Sequence, residues 1–333
     1  MHLAPVIRTT TGKEFSQAGG QTLLEAAVTA GVSLPYSCKT GRCSTCKCKV
    51  LTGQTTAKVD ELGLTAEEKA QGFILSCVRT ANSDLKIEVE DLGDQVIPVI
   101  KTLPARLQSI EKLSPDVLRV KLRLPSAQNF SYLAGQYIDV IGSGGTRRSY
   151  SIANAPAPVK LLELHIRAVP GGAMSDYWFN SAQANDLVRI NGPLGSFFTR
   201  PLAGFHLVFL ATGTGIAPVK AMLEKLATAP AADQALSVTV YWGGREPQDL
   251  YSDPSQWHPA VRYVPVLSRA PAVWSGARGY VHNVLLGNDP DLAHTVIYAC
   301  GSDDMIHSAK TELTLAGLPE KRFYSDAFVP SGT

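Results

Sequence analysis

Four cysteines lie between Cys38 and Cys48 in the segment SCKTGRCSTCKCKV, and a fifth, Cys77, follows in ILSCVRT. Thiols in such numbers serve disulfides, zinc or an iron–sulfur cluster. Disulfides need an oxidising compartment. The opening MHLAPVIRTTTGKEF has no apolar h-region and no small-residue cleavage site, so nothing in it suggests secretion. Zinc usually takes two well-separated pairs. The spacing Cys38-x4-Cys43-x2-Cys46, completed far downstream by Cys77, is that of a [2Fe–2S] cluster. These four are the expected metal ligands, and buried or zinc-bound cysteines are the competing reading. Gly41 can take positive φ, and small Ser44 and Thr45 let backbone N–H groups turn towards the sulfurs. Cys48, in the alternating CKCKVLTG, reads as a small buried side chain and not as a ligand.

A second chemistry sits downstream. FLATGTGIAPVKAML runs as strand, glycine turn and helix. Around Thr214, Gly213 and Gly215 let the backbone approach a phosphate, the helix N-terminus offers N–H donors, and Pro218 suits the first helical turn. The motif is G-x-G-x-x-P, not the Rossmann G-x-G-x-x-G. Alone it is a weak signal that a mere packing turn can also give, and its strand–turn–helix setting favours a nucleotide. In RRSYSIAN, Arg148 and Tyr150 share one face of an extended strand, and Ser149 and Ser151 share the other. A guanidinium can clamp a pyrophosphate, a ring can stack on a flavin, and a hydroxyl can reach a ring nitrogen. An ordinary polar edge strand accounts for these four residues by themselves. In VPGGAMSDYWF, Gly171 and Gly172 precede a helix expected to open at Ser175, a second anion site. Two phosphate-shaped sites call for two nucleotides. YACGSDDMI puts Cys300 and Gly301 at the C-terminal end of a late strand, the edge where ligands gather in open α/β sheets. Inert packing is the equal alternative for Cys300.

The elements that must position these residues follow from the patterning of 333 residues, a length of two or three domains. Residues 1–93 read as a compact α+β unit of the β-grasp type. It has a hairpin-like start, a helix at TLLEAAVTAG stopped by Gly31, the cysteine loop, a short helix capped by Thr65 with Glu68, and the closing strand DLKIEVED. Residues 94–103 read as a linker marked by prolines. Residues 104–200 hold six short strands, ARLQSIEKL, VLRVKLRL, YIDVIG, RRSYSIA, LELHIRAV and LVRINGP, which suggest an antiparallel barrel. In 201–333 the apolar strands FHLVFLA, LSVTVYWG, VRYVPVLS and TVIYACG alternate with helical stretches, as in a parallel α/β sheet. The hydrophobic content of 45% and charged content of 18% suit a globular protein with a real core. Lys plus Arg number 31 against 29 Asp plus Glu, so no basic excess points to nucleic acid or a membrane surface. No apolar run reaches the length of a membrane span. The cytoplasm is the expected location.

RRSYS, GGAMS, GTGIAP and CGSDDM occur in that order, behind the cysteine loop. Together they resemble the ferredoxin–NADP reductase superfamily with a plant-type ferredoxin domain fused in front, over essentially the whole chain. The resemblance implies that Arg148, Tyr150 and Ser151 hold FAD, with Tyr150 against the isoalloxazine and Ser151 near N5. It implies that Gly171, Gly172 and Ser175 receive the FAD pyrophosphate, and that Gly213, Thr214, Gly215 and Pro218 bind the nicotinamide nucleotide. Cys300 and Gly301 would lie beside the nicotinamide, and Phe328 of the tail would touch a cofactor. Ser151 and Cys300 are then the expected catalytic residues. A narrower likeness, in LAGQYIDV, RRSYSIANAP, YVPVLS and FYSDAFVPS, is to the CDP-6-deoxy-Δ3,4-glucoseen reductases of 3,6-dideoxyhexose biosynthesis. Those enzymes feed a pyridoxamine-phosphate-dependent dehydratase acting on a CDP-4-keto-6-deoxy sugar. Close relatives serve oxygenases instead.

The implied order of cofactors obeys electron counting. NAD(P)H gives a hydride, a [2Fe–2S] cluster takes one electron, and a flavin between them handles both. None of the seven histidines forms a pair with metal spacing, so a Rieske centre, which needs two, is excluded. His165 reads as structural or as a cofactor neighbour. A non-catalytic ferredoxin-type carrier is the rival class, but it leaves both phosphate sites idle. The resemblance leans to NADH. The residues are divided, since Glu246 would repel a 2′-phosphate while Arg245, Ser268 and Arg269 would accept one. Lys39, Arg42, Lys47 and Lys49 interleave the cysteines and suggest a docking face for a redox partner protein with acidic residues.

Overall fold

The computed structural model describes residues 4–90, 92, 97–258 and 260–328. It divides into two compact units, Met1–Ile97 and Pro98–Thr333.

The first unit runs β1 (Val6–Thr9), β2 (Glu14–Ser16), α1 (Leu23–Thr29), β3 (Lys47–Thr52), β4 (Thr55–Ala57), α2 (Ala66–Ala70), β5 (Phe73–Leu75), β6 (Arg79–Ala81) and β7 (Leu85–Glu88). Its main sheet has the order β2-β1-β7-β3-β5, with β1 and β7 parallel, which is the β-grasp arrangement. Both helices begin in reciprocal capping boxes, Thr22 with Glu25 and Thr65 with Glu68, which satisfy N–H groups that have no partner inside the helix. From α1, Leu23, Leu24, Ala26 and Ala27 are buried with Ile7, Leu75 and Ile87 of the sheet. That packing fixes where the chain leaves α1 and enters the cysteine loop.

The second unit opens with β8 (Lys101–Ser114), β9 (Val117–Arg123), β10 (Tyr137–Ile141), β11 (Arg147–Ser151), β12 (Leu161–Arg167), α3 (Ala173–Asp176) and β13 (Leu187–Leu194). All six expected strands are present, antiparallel in the order β11-β10-β13-β8-β9-β12. A bridge between Ile152 and Leu164 joins the two edges into a barrel. Strand β8 starts at Lys101, so the last residues of the stretch read as linker are paired with β13, while residues 94–96 lie outside the described ones. Pro104 lies inside β8. It is tolerated because this end of β8 has a neighbour on one side only, β9 joining from Arg106 onwards.

The chain continues through β14 (His206–Thr212), α4 (Ile216–Leu226), β15 (Ser237–Gly244), β16 (Val261–Leu267), β17 (Ala277–Arg278), α5 (Val281–Leu286), β18 (Thr295–Ser302), α6 (Asp303–Leu315) and β19 (Phe323–Phe328). These strands form a parallel sheet of order β17-β16-β15-β14-β18-β19. The order reverses beside β14, and the turns following β14 and β18 share one edge, the place where such sheets bind ligands. Among the described residues no helix is long and apolar enough to cross a membrane.

Candidate cofactor sites

In the first unit, Cys38, Cys43 and Cys46 lie on the loop between α1 and β3, and Cys77 lies on the turn between β5 and β6. None of the six cysteines is in a disulfide. The four expected ligands stand as two pairs. The Cys38 amide donates to Cys43 Sγ at 3.4 Å, and the Cys46 thiol donates to Cys77 Sγ at 3.1 Å. The Thr40 amide also donates to Cys38 Sγ, at 3.4 Å. A hydrogen bond with Cys43 holds the Cys38 thiol down to about 4, and the same bond together with burial pushes Cys43 up. Cys77 is lowered and Cys46 raised in the same way, as in pairs that share one proton. Two sulfur pairs suit a binuclear cluster. Among the described residues no three His, Cys, Asp or Glu side chains gather as a single ion would need. Cys48 stands apart. It is buried within β3, opposite Ile74 of β5 and outside the cysteine loop, and burial pushes its thiol up to about 12.

In the second unit a cleft of about 1490 Å³ runs along the sheet edge. A single small-molecule pocket occupies roughly 300–1,000 Å³, so this cleft has room for more than one nucleotide. It brings together Gly171, Gly172, Ser175, Gly213, Thr214, Gly301 and Phe328. Two glycines at this edge, Gly215 and Gly301, are demanded by close approach. A Cβ on Gly215 would lie 2.2 Å from the Cys300 carbonyl oxygen, and one on Gly301 would lie 2.0 Å from Thr212 Oγ1. Pro218 is buried in the first turn of α4, behind the glycine turn. Cys300 has no exposed surface and does not line the cleft, and burial, with Asp326, pushes its thiol well up. Its observed part is to carry the backbone against which Gly215 packs.

Arg148, Tyr150 and Ser151 lie on β11, outside the residues that line the cleft. Tyr150 is half-buried, and its hydroxyl accepts a hydrogen bond from Trp178 Nε1 at 3.1 Å. Burial pushes that hydroxyl up to about 12, against the pull of Trp178 and Arg148, so it stays neutral. The partly open ring suits a stacked flavin. The expectation that Ser175 opens the helix is corrected. Helix α3 begins at Ala173 with Gly172 as its cap, and Ser175 Oγ accepts the Val169 N–H at 2.8 Å. A serine three positions after the glycine pair reads as an N-cap, but here its hydroxyl closes the turn in front of the helix.

The sequence reading passed over Arg167. It closes β12 just before the glycine turn and lines the cleft, and its guanidinium meets Asp116 at 3.2 Å and Asp249 at 3.1 Å. A Cβ on Gly213 would touch its Nη1 at 3.0 Å. A cation thus stands between the two glycine turns, where phosphates are expected. A cationic last residue on a strand leading into a glycine turn was the available signal. Glu163 and His165 share its face of β12. His165 is wedged between Glu163 (3.0 Å) and the Tyr251 hydroxyl (2.9 Å), and burial lowers its proton affinity. Lys220 of α4 reaches Glu163 at 3.3 Å and Glu224 at 2.6 Å. Burial opposes ionisation of Glu163, yet His165 and Lys220 hold its carboxyl down to about 2. These links tie the barrel to the parallel sheet, and they give His165 a structural role.

A β-grasp unit with paired sulfurs, a flavin-type barrel and a parallel sheet with a nucleotide cleft define an NAD(P)H-dependent iron–sulfur flavoprotein reductase. Family comparisons agree segment by segment. Residues 7–82 match the 2Fe-2S iron-sulfur cluster binding domain, residues 104–198 the oxidoreductase FAD-binding domain, and residues 209–311 the oxidoreductase NAD-binding domain. The chain belongs to the ferredoxin–NADP reductase superfamily, in the branch with an N-terminal [2Fe–2S] ferredoxin domain. It is 42% identical to the CDP-6-deoxy-L-threo-D-glycero-4-hexulose-3-dehydrase reductase of Yersinia pestis, over 96% of this chain and 97% of that one. It is 33% identical to the reductase component 1 of terephthalate 1,2-dioxygenase from Comamonas, over 96% and 95%. The crystal structure of the Amycolatopsis cytochrome P450 reductase GcoB matches with a TM-score of 0.78 at 32% identity, over 98% of this chain and all of that one.

Proposed function

We propose that this chain carries electrons from NADH to a pyridoxamine-phosphate-dependent 3-dehydratase of a CDP-4-keto-6-deoxyhexose, in the reducing cytoplasm. The observation that carries this reading is the 42% identity, over nearly all of both chains, to a relative named for such a dehydrase. Supply to an oxygenase is the second reading, favoured by the 33% identity to a dioxygenase reductase component. In either case Cys38, Cys43, Cys46 and Cys77 hold the cluster. Arg148, Tyr150 and Ser151 hold the flavin. Gly171 and Gly172 shape the turn for its pyrophosphate, which Ser175 closes. Gly213, Thr214, Gly215 and Pro218 build the turn for NADH, with Gly301 and Phe328 on the cleft wall. When bound, the flavin takes a hydride from NADH and releases electrons singly to the cluster.

Arg167 joins this set. A hydrogen bond to a charged group contributes about 1.5–3 kcal/mol, so Arg167→Ala is expected to raise KM for NADH roughly ten- to hundredfold. Steady-state kinetics with ferricyanide check this. A lowered Tm at unchanged KM would leave Arg167 only the Asp116–Asp249 link.

NADH is the expected donor. Against the resemblance that favours it, Arg245 and Ser268, which would accept a 2′-phosphate, line the cleft, whereas Glu246 and Arg269 do not. Comparing kcat/KM for the two nucleotides decides the matter. A preference for NADPH that collapses in Arg245→Ala would refute it.

The partner reading is tested with purified dehydratase and oxygenase components. NADH-dependent C-3 deoxygenation with this chain is expected, and turnover by the oxygenase alone would favour the second reading. Lys39 is exposed and Arg42 half-buried, while Lys47 is paired with Glu68 at 2.7 Å. Reversing the charges of Lys39 and Arg42 is expected to slow reduction of the partner through association rate, and added salt to do the same. Reduction of a neutral dye should be unaffected. Equal loss with both acceptors would mean that these cations serve the cluster alone.

A further inference from the structure

Residues 60–64 belong to no helix or strand, yet they touch both segments that carry the cluster cysteines. The Gly63 amide donates to the Gly41 carbonyl at 2.9 Å, inside the three-cysteine loop. The approach there is so close that a Cβ on Gly63 would lie 2.6 Å from the Arg42 carbonyl oxygen. Glu61 serves the other segment and is only 4% exposed. One of its carboxylate oxygens accepts the Leu75 N–H at 2.7 Å, and the other accepts Arg79 Nη2 at 2.6 Å. Leu75 and Arg79 stand two residues before and two residues after Cys77. Arg79 is held in turn by the Thr55 carbonyl and hydroxyl, at 3.4 and 3.1 Å.

A buried carboxylate costs several kcal/mol unless it is well paired, and an apolar residue would fill the same space without that cost. Its retention here calls for a task. We propose that Glu61, paired with Arg79, is a positioning residue for the fourth cluster ligand: it clamps both ends of the Cys77 turn onto the strap that holds the three-cysteine loop, and the opposed charges of the pair bias the cluster's reduction potential. Both charges stand at the Cys77 turn, the carboxylate on the Leu75 N–H and the guanidinium on Arg79. A negative charge near the cluster disfavours the added electron and a positive one favours it, so the two oppose each other at the iron.

The test is a redox titration of the full-length holoprotein by low-temperature electron paramagnetic resonance. It compares Glu61→Gln, Arg79→Gln and the double variant, with iron and flavin content measured alongside. Glutamine keeps an acceptor for the Leu75 N–H. Glu61→Gln is expected to raise the potential by about a tenfold change in the one-electron equilibrium, ~59 mV. Arg79→Gln is expected to lower it, and the double variant to return towards the unaltered protein. A purely structural pair would cost iron in every variant without opposite shifts. Equal potentials, or shifts of the same sign, would overturn the proposal. So would loss of iron from both Glu61→Gln and the double variant while Arg79→Gln keeps its potential. The inference rests on Cys77 as a ligand. That reading fails separately, through an unaltered protein with no cluster signal or a Cys77→Ser variant that keeps one.

Discussion

Serine in place of Cys77 removes the cluster and stops electron delivery to a one-electron protein acceptor, while NADH-driven reduction of ferricyanide continues. The expected fall with the protein acceptor is at least about 100-fold, the upper end of what losing even an outer-sphere partner costs a metal site. Cys77 and Cys46 stand 3.1 Å apart across the fold, so losing one leaves its neighbour without the second sulfur of its pair. The flavin barrel and nucleotide cleft lie in the other compact unit, which leaves the dye reaction untouched. Cys48→Ser supplies the contrast. Its side chain is buried within β3, opposite Ile74, outside the cysteine loop, so that variant is expected to keep its iron at some cost in packing. Iron content, the visible spectrum and paired acceptor assays check both variants. Iron lost from Cys48→Ser and kept by Cys77→Ser would replace the ligand set.

Alanine at Gly301 is expected to lower kcat/KM for NADH about 100-fold and to lower Tm as well. The residue has φ 144, which L side chains rarely adopt, and its Cβ would meet Thr212 Oγ1 at 2.0 Å. Backbone strain of about 1–3 kcal/mol and overpacking of similar size both fall on Thr212, the residue that leads into the glycine turn. Ser302 N–H also donates to that hydroxyl, at 3.3 Å, so the end of β18 moves with it. Gly317→Ala is the control. Its φ is 107, but nothing lies within 4 Å of the added carbon, so stability falls without a change in KM. Equal effects of the two variants on KM would mean that general destabilisation, not the shape of the turn, governs NADH binding.

Much of this was legible because local chemistry and global fold agree. The capping box at Thr65, the alternating barrel strands and the apolar strands β14, β15, β16 and β18 all stand where the patterning put them. Strands β17 and β19 were not read. The first has only two residues, and the second buries the polar Ser325 and Asp326, so neither shows an apolar pattern. Pro104 misled because a proline's meaning depends on whether a neighbour strand needs its missing N–H, which the sequence does not display. At the sites, cysteine spacing and glycine turns are short-range signals and read directly. Arg167 and Glu61 were invisible because their partners are distant: Asp116 and Asp249 for one, Leu75 and Arg79 for the other. Ser175 misled for the opposite reason, since a hydroxyl beside a helix start can cap the helix or close the preceding turn.

The most direct measurement is an anaerobic titration of the purified protein with NADH, followed by flavin absorbance and by low-temperature electron paramagnetic resonance. A chain holding one FAD, which takes two electrons, and one [2Fe–2S] cluster, which takes one, should consume about 1.5 NADH per chain. The flavin band should bleach and the signal of a reduced [2Fe–2S] centre should appear. An end point near one NADH with no iron–sulfur signal, or no bleaching at all, would contradict the account.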